Sequence, residues 1–302
     1  MSLISIYGAS VGGMSAAARL AVKGHDVHIY EHSNAAGSEL LDLPNRITLP
    51  AALRDLFLKT GAPLEDSVTL VESEIAYDAL LSNGSIFQMP GFGVTSTTRA
   101  IAAALGDHAA RQWSDHIKQA ARTWEGLHKH VENYPEYMAA LQRAAKSSWL
   151  TKRKQTLRNP DLIAIRNASP FYTTSPVLVN LMPYIAATFG VYEVAGGLTN
   201  IATALQQRCE SLGVVFHFSE TAMSHAHDGN IVVIASTQPA GKELLNKYAQ
   251  SSQHGVVSMQ TNSPNVFIVG AQTYPGTDLA FAVLSGSMLA NLIGSAHSND
   301  AS

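Results

Sequence analysis

The 302-residue chain has little charge, few aromatic residues and a single cysteine. Charged residues make up 14% and the formal net charge is −3, so no global field would recruit a polyanion. No dense Lys/Arg stripe with aromatic interleaving appears, and nucleic acid is not expected as a partner. Cys209 has no second cysteine to pair with, which excludes an internal disulfide and fits a reducing compartment; within a predicted helix it reads as a small buried hydrophobe. No basic segment precedes the first apolar residues, so no signal peptide is expected and the protein reads as cytoplasmic. Twelve histidines are present, but His128 and His130, like His225 and His227, are spaced by two with no carboxylate or cysteine completing a site. Solvated surface histidines are expected, and no metal.

What the chain has is apolar residues, 46% of the total, enough for one large or two ordinary domains with a sizeable core. Its most informative stretch runs from residue 3 to residue 31. Leu3, Ile4, Ile6 and Tyr7 read as a buried strand, followed by the tight turn Gly8-Ala9-Ser10-Val11-Gly12-Gly13. A small-residue helix Met14 to Lys23 ends at Gly24, and Val27 to Tyr30 form a second strand closed by Glu31. This is the grammar of a dinucleotide-binding βαβ unit. Gly8 permits the turn, Gly13 lets helix and strand approach, the helix N-terminus offers amides to a pyrophosphate, and Glu31 can accept from a ribose 2′-OH. A free 2′-OH facing Glu31 suits FAD or NAD better than NADP. Ser10 replaces the second glycine; its hydroxyl is small and can donate to phosphate. The same residues spell Gly8-x-Ser10-x-Gly12, the nucleophile elbow of serine hydrolases, but that motif follows several strands, and Ser10 follows the first one here.

Further along, Leu53 to Leu58 suggests a short helix. Ile75 to Leu81 and Ser85 to Met89 flank Asn83-Gly84, a hairpin signal that suits a type I′ turn. After a helix over Thr98 to Leu105 the composition becomes helical, marking a domain boundary. Trp113, Ile117, Ala120, Trp124, Leu127 and Val131 fall on one helical seam that ends near Tyr134-Pro135, and Tyr137, Met138, Leu141 and Trp149 continue a second helix. Lys146, Lys152, Arg153, Lys154 and Arg158 surround Trp149 and Leu150: a solvated face, or a peripheral contact with an anionic membrane. Ser175-Pro176 caps a helix that is apolar nearly all round, too short at roughly 14 residues to span a bilayer needing about 20. It is a core helix or the wall of a ligand channel. Strand and glycine grammar returns with Val191 to Val194, Gly196-Gly197, a helix Leu198 to Leu212, and strands Val214 to Phe218 and Ile231 to Ala235. A last strand, Asn265 to Val269, leads through Gly270-Ala271 and Pro275-Gly276 to a helix from Ala280 to Ile293. Asp278 reads equally as the cap of that helix and as a group near a cofactor, and no catalytic residue is assigned.

Three blocks resemble the FAD-dependent phytoene desaturase group, the carotenoid desaturases and isomerases within the amine-oxidase-like flavoproteins. They are the glycine turn through Glu31 with Gly37 beyond it; Gly190 to Gly197 with the helix and Gly213-Val-Val strand that follow; and Val266-Phe-Ile-Val-Gly-Ala-Gln-Thr-Tyr-Pro-Gly276 with Val283-Leu-Ser-Gly286. The resemblance implies a doubly wound α/β FAD/NAD(P)-binding domain, discontinuous over 1–106 and 190–296, with an inserted, mainly helical substrate domain over 107–189 and a tail at 297–302. The hairpin 75–89 is assignable to either domain. It also implies FAD as cofactor, with Gly8, Ser10, Val11, Gly12, Gly13 and Gly37 at the pyrophosphate and Glu31 at the ribose. Gly270, Ala271, Pro275, Gly276 and Thr277 would lie toward the flavin ring. The implied activity is hydride removal from a hydrophobic isoprenoid or polyene; a nucleotide-binding homologue without turnover is the alternative. Where the group continues Gly-Arg after Gly37, with the arginine on the pyrophosphate, this chain has Ser38 and Glu39, and Arg46 is a candidate substitute.

Overall fold

The strand formers identified above assemble, in a computed structural model of the chain, into a parallel sheet with helices on both faces. Residues 2–146, 157–171, 175–220, 230–235, 239–249, 257–270, 273 and 278–296 are described. In chain order the elements begin β1 (Leu3–Tyr7), α1 (Val11–Val22), β2 (Asp26–Glu31), β3 (Ile47–Thr48), α2 (Pro50–Lys59), β4 (Leu70–Glu72), β5 (Ile75–Leu80) and β6 (Ile86–Pro90). Then follow α3 (Val94–Leu127), α4 (Tyr134–Ala145), α5 (Pro160–Asn167), α6 (Pro176–Phe189), β7 (Val191–Val194), α7 (Thr199–Ser211) and β8 (Val215–Phe218). The last are β9 (Ile231–Ile234), α8 (Pro239–Tyr248), β10 (Val266–Ile268) and α9 (Leu279–Ile293).

Five of these strands form the main sheet in the order β10-β9-β1-β2-β8, every pair parallel. Alternation along each strand divides the core. Ile4, Ile6, Val27, Ile29 and Val233 point to the face covered by α1, α7 and α9. Tyr7, Val232, Ile234, Val266 and Ile268 point to the other, where Leu244 of α8 meets them. The strand order reverses at β1, with β2 on one side and β9 on the other, which places the carboxyl ends of β1 and β9 at the switch point of the sheet.

A small antiparallel sheet, β3-β7-β4, and the β5-β6 hairpin lie outside this frame. The hairpin turn is not type I′: among the described residues only Gly84 of the turn has positive φ (+83°), with Gly84 N–H donating to Leu81 O at 3.0 Å and Leu81 N–H to Ser85 O at 2.9 Å. Type I′ requires positive φ at both central residues, so the loop is a β-turn closed by a left-handed glycine. Helix α3 is longer than expected and breaks at Gly106 (φ 81°, ψ 170°), just after the predicted end at Leu105. Its seam is buried at Trp113, Ile117, Ala120, Trp124 and Leu127, while Val131 lies beyond the helix and is half-buried.

Helix α6 packs on α3 and buries Val177, Leu178, Leu181, Met182 and Ile185, as expected of a core helix. Ser175 holds the extended N-cap position but its side chain makes no capping bond; Pro176 at the first turn supplies the start instead. Cys209 is buried in α7 with its thiol pushed up to about 12 by burial, an inert small hydrophobe. Trp149, Leu150, most of the basic cluster and both His225 and His227 lie outside the described residues. Among the described residues no helix is long and apolar enough to cross a membrane, and no group of three or more His, Cys, Asp or Glu could hold a metal.

Candidate nucleotide site

The glycine turn sits at the switch point of the sheet. Gly8 leaves β1 at φ +115° with its N–H donating to Tyr30 O at 2.8 Å, a conformation that suits glycine. Ser10 is the N-cap of α1: its Oγ accepts from Gly13 N–H at 3.2 Å and its carbonyl from Met14 N–H at 2.8 Å. The Ser10 hydroxyl proton goes to the carbonyl of Ala235, 2.6 Å away at the end of β9. This corrects the expectation of a hydroxyl aimed at phosphate, and it speaks against the elbow reading, because among the described residues the hydroxyl donates to a carbonyl and meets no general base.

The remaining glycines are spaced by the fold itself. A Cβ on Gly12 would lie 2.7 Å from Gly270 Cα, and one on Gly13 would strike Gly8 O and stand 2.8 Å from the Ala235 Cβ. Helix α1 therefore touches the ends of β1, β9 and β10 at once. Gly270 follows β10 at φ +98°, its N–H donating to Ser285 Oγ of α9 at 2.9 Å. Gly37 (φ +69°) donates its N–H to Ala9 O at 2.9 Å, and a Cβ there would collide with Ala202 of α7.

Glu31 ends β2 and is 4% exposed. Its Oε2 accepts from Ala9 N–H at 2.7 Å, and its Oε1 from both the N–H and the hydroxyl of Ser33 at 2.9 Å. The carboxylate is thus fixed beside the turn, acceptor-only, with one lone-pair position left on Oε2 for a hydroxyl donor. Neither Ser33 nor Ala9 was singled out from the sequence as a partner of Glu31; a serine two residues after the acid is a signal that could have found Ser33, whereas nothing local marks Ala9.

The largest surprise is Glu39. Its Oε1 accepts from Val11 N–H at 2.7 Å, so the first amide of α1 already serves an anion. Surrounding protein pushes the Glu39 carboxyl above its usual range; the Val11 amide pulls it back, and the charge of Glu31 adds to the rise. The Glu39 side chain nonetheless remains exposed to water. Arg46 does not substitute for the missing arginine. Its guanidinium is engaged by Glu193 Oε1 at 2.7 Å and by Asn45 O at 2.9 Å.

At the other end, Asp278 caps α9 by accepting from Ala280 N–H at 3.0 Å. Burial drives its carboxyl up to about 7 against the pull of the Ala280 and Phe281 amides. Ala271, Pro275, Gly276 and Thr277, expected toward a flavin ring, lie outside the described residues. The frame fits the adenosine-diphosphate half of a dinucleotide: a turn at the switch point, a capped helix N-terminus and a buried acid at the end of β2. One residue of the donor set disagrees, because Glu39 lies where the diphosphate would.

No family model matches the chain. It is 24% identical over 259 residues to a 4,4′-diapolycopene oxygenase from Methylomonas sp, covering 76% of this chain and 52% of that protein. To a 1-hydroxycarotenoid 3,4-desaturase from Flavobacterium sp. it is 23% identical over 263 residues, 77% and 53%. A 4,4′-diapophytoene desaturase from Staphylococcus aureus gives 24% over 237 residues, 70% and 47%. The chain thus spans about half the length of the curated relatives it matches. Among solved structures, a Rab GDI from Plasmodium falciparum superposes with a TM-score of 0.50 at 10% identity, over 82% of this chain and 68% of that one, a likeness of fold. The chain is thus similar, at 23–24% identity, to enzymes of the group its motif blocks resemble, and its fold is doubly wound α/β.

Proposed function

We propose that this protein is an FAD-dependent oxidoreductase of the phytoene desaturase type, acting on a hydrophobic isoprenoid or polyene. The observation that carries this reading is the glycine turn at the switch between β1 and β9 with the buried Glu31 fixed beside it. The names of the relatives support the substrate class. In this assignment the oxidised flavin, when bound, supplies the acceptor for a hydride from an allylic C–C unit. The chain's own residues bind and orient. The turn from Gly8 to Gly13 faces the diphosphate, with backbone amides and not the Ser10 hydroxyl as donors, and Glu31 accepts from the adenosine ribose. Gly270 lies against Gly12 just past the end of β10, and Gly270, Ala271, Pro275, Gly276 and Thr277 are assigned toward the ring end of the cofactor on the motif alone.

The visible absorption spectrum of the purified full chain, with identification of any nucleotide released by heat, tests this directly. An oxidised-flavin spectrum with released FAD, bleached by a polyene presented in lipid, is the expected result. A chain in which neither the wild type nor a Glu39→Ala variant takes up added FAD would sink it. A second reading, a homologue that binds nucleotide without turnover, rests on the loss of the Gly-Arg pair after Gly37 and predicts bound flavin that no candidate polyene reduces.

A further inference from the structure

Building on the flavoprotein reading above, we propose that Glu39 is an internal substitute for phosphate: it holds the N-terminus of α1, and a diphosphate-bearing cofactor enters only by displacing it. The position of the carboxylate is the first ground. Val11 N–H is among the amides that a helix start offers to an anion, and it donates to Glu39 Oε1 at 2.7 Å.

The route by which Glu39 arrives is the second. It lies on the single helical turn Ser38–Leu40, whose start, Gly37, is held in the left-handed region and hydrogen-bonded through its N–H to Ala9 O at 2.9 Å. Ala202 closes off the space where a Cβ on Gly37 would stand. The turn bearing the acid is therefore tied to the glycine loop itself, and Glu39 reaches Val11 from a fixed base.

The charge balance is the third ground. Arg46, the nearest basic candidate from the sequence, is committed to Glu193, and the charge acting on Glu39 is that of Glu31, of the same sign. Two carboxylates thus converge on residues 9 to 11, where the fold would place a diphosphate. A ligand bearing that group meets like charge as well as an occupied amide, whereas a ligand without phosphate meets neither. Glu39 is in this sense a specificity-determining residue that weakens binding of diphosphates.

The test compares the wild-type full chain with Glu39→Gln, which removes the charge but keeps an acceptor, and Glu39→Ala, which empties the position. FAD and riboflavin binding are followed by flavin fluorescence, and inorganic pyrophosphate by the shift of the thermal midpoint, with circular dichroism confirming that each variant is folded. Both variants are expected to bind FAD about tenfold or more tightly than wild type, given like-charge repulsion at close range, and to gain stabilisation from pyrophosphate that the wild type lacks. Riboflavin affinity should not change. Equal or weaker FAD binding by both variants, with the wild type binding FAD well, would overturn the role of Glu39 and leave the flavoprotein reading standing. Variants that respond to pyrophosphate but take no FAD would uphold Glu39 and overturn the flavin. No response to either by any form would overturn both.

Discussion

Replacing Gly286 by alanine sets two effects of known sign against each other. Gly286 lies inside α9, where alanine gains about 1 kcal/mol of helix propensity over glycine. The contact opposes it. A Cβ at this position would lie 2.6 Å from the backbone nitrogen of Ala16 and 2.7 Å from Ser15 Cβ and Oγ on α1. Restoring ordinary contact at 3.4 Å requires the two helices to part by about 0.8 Å. That separation is blocked by Ser15 Oγ donating to Val283 O at 2.9 Å, which would stretch beyond hydrogen-bonding range, and by Gly270 N–H donating to Ser285 Oγ at 2.9 Å. Overpacking of about 1–3 kcal/mol plus about 1 kcal/mol for a weakened hydrogen bond exceeds the propensity gain. The net expectation is a loss of about 1–3 kcal/mol, a fall in Tm of several degrees. Gly126→Ala is the control. It lies near the end of α3 with nothing within 4 Å of the added carbon, so the same substitution should stabilise by about 0.5–1 kcal/mol. Urea unfolding of both variants reads the difference. A Gly286→Ala protein as stable as wild type would show that α1 and α9 are not in close contact, and the placement of the glycine turn would fall with it.

Three further outcomes are expected. Asp278 has its folded-state carboxyl raised from 3.8 to about 7, so the native state holds the proton more tightly than the unfolded chain, and the stability due to this group is lost as pH rises through that interval. At about 1.4 kcal/mol per pH unit the loss is at most about 4 kcal/mol; Asp278→Asn, which keeps a capping acceptor, should flatten this part of the stability profile and be the more stable form at pH 8, and an unchanged profile would refute it. Tyr134 Oη accepts from the buried Met259 N–H at 2.7 Å, so Tyr134→Phe strands that donor and should cost about 1–3 kcal/mol in urea unfolding; a loss below about 0.5 kcal/mol would show that water replaces the hydroxyl. Glu31→Gln replaces one acceptor oxygen by an amide donor facing Ser33 or Ala9, and should weaken adenosine binding in calorimetry as well as lowering Tm; unchanged adenosine affinity would remove Glu31 from the ribose site.

The fold was legible where the local signal and the tertiary demand agree. β1, α1 and β2 fall where the apolar runs, the small-residue helix and Gly24 place them, and β9, β10 and α9 within a residue or two of expectation. Interactions over long sequence distances were not legible. Nothing local tells that the Ser10 hydroxyl points at Ala235, 225 residues away, or that Arg46 turns to Glu193 on β7. Hairpin chemistry misled in another way: Asn-Gly suits a type I′ turn, but the strands pair across a longer loop in which only the glycine must be left-handed. For α6, an all-round apolar sequence fits a core helix and a channel wall alike, and its packing against α3 was not legible in it. Glu39 was visible as a departure from the Gly-Arg pattern, but its destination depends on the tie between Gly37 and Ala9.

The glycines of the turn, usually taken as the mark of a nucleotide, say less about a ligand here than their neighbours do. Gly12 is required by Gly270, Gly13 by Gly8 and Ala235, and Gly37 by Ala202, all contacts within the protein. Any chain that closes this sheet with α1 against α9 needs them, whether or not it binds a dinucleotide. Substituting them would break the fold and report nothing about the cofactor. The side chains that carry ligand information are those not needed to close the frame: Glu31, whose carboxylate stands ready for a hydroxyl, and Glu39, whose carboxylate occupies the anion's place. These two make opposite statements about the same ligand. A ribose is welcomed and a diphosphate opposed, so the affinity for an adenosine with a single phosphate or none, relative to ADP, measures the balance between them. A wild-type chain that binds adenosine as well as ADP, and a Glu39→Ala chain that prefers ADP, would locate the opposition at Glu39; a wild-type preference for ADP would mean that the carboxylate leaves Val11 freely.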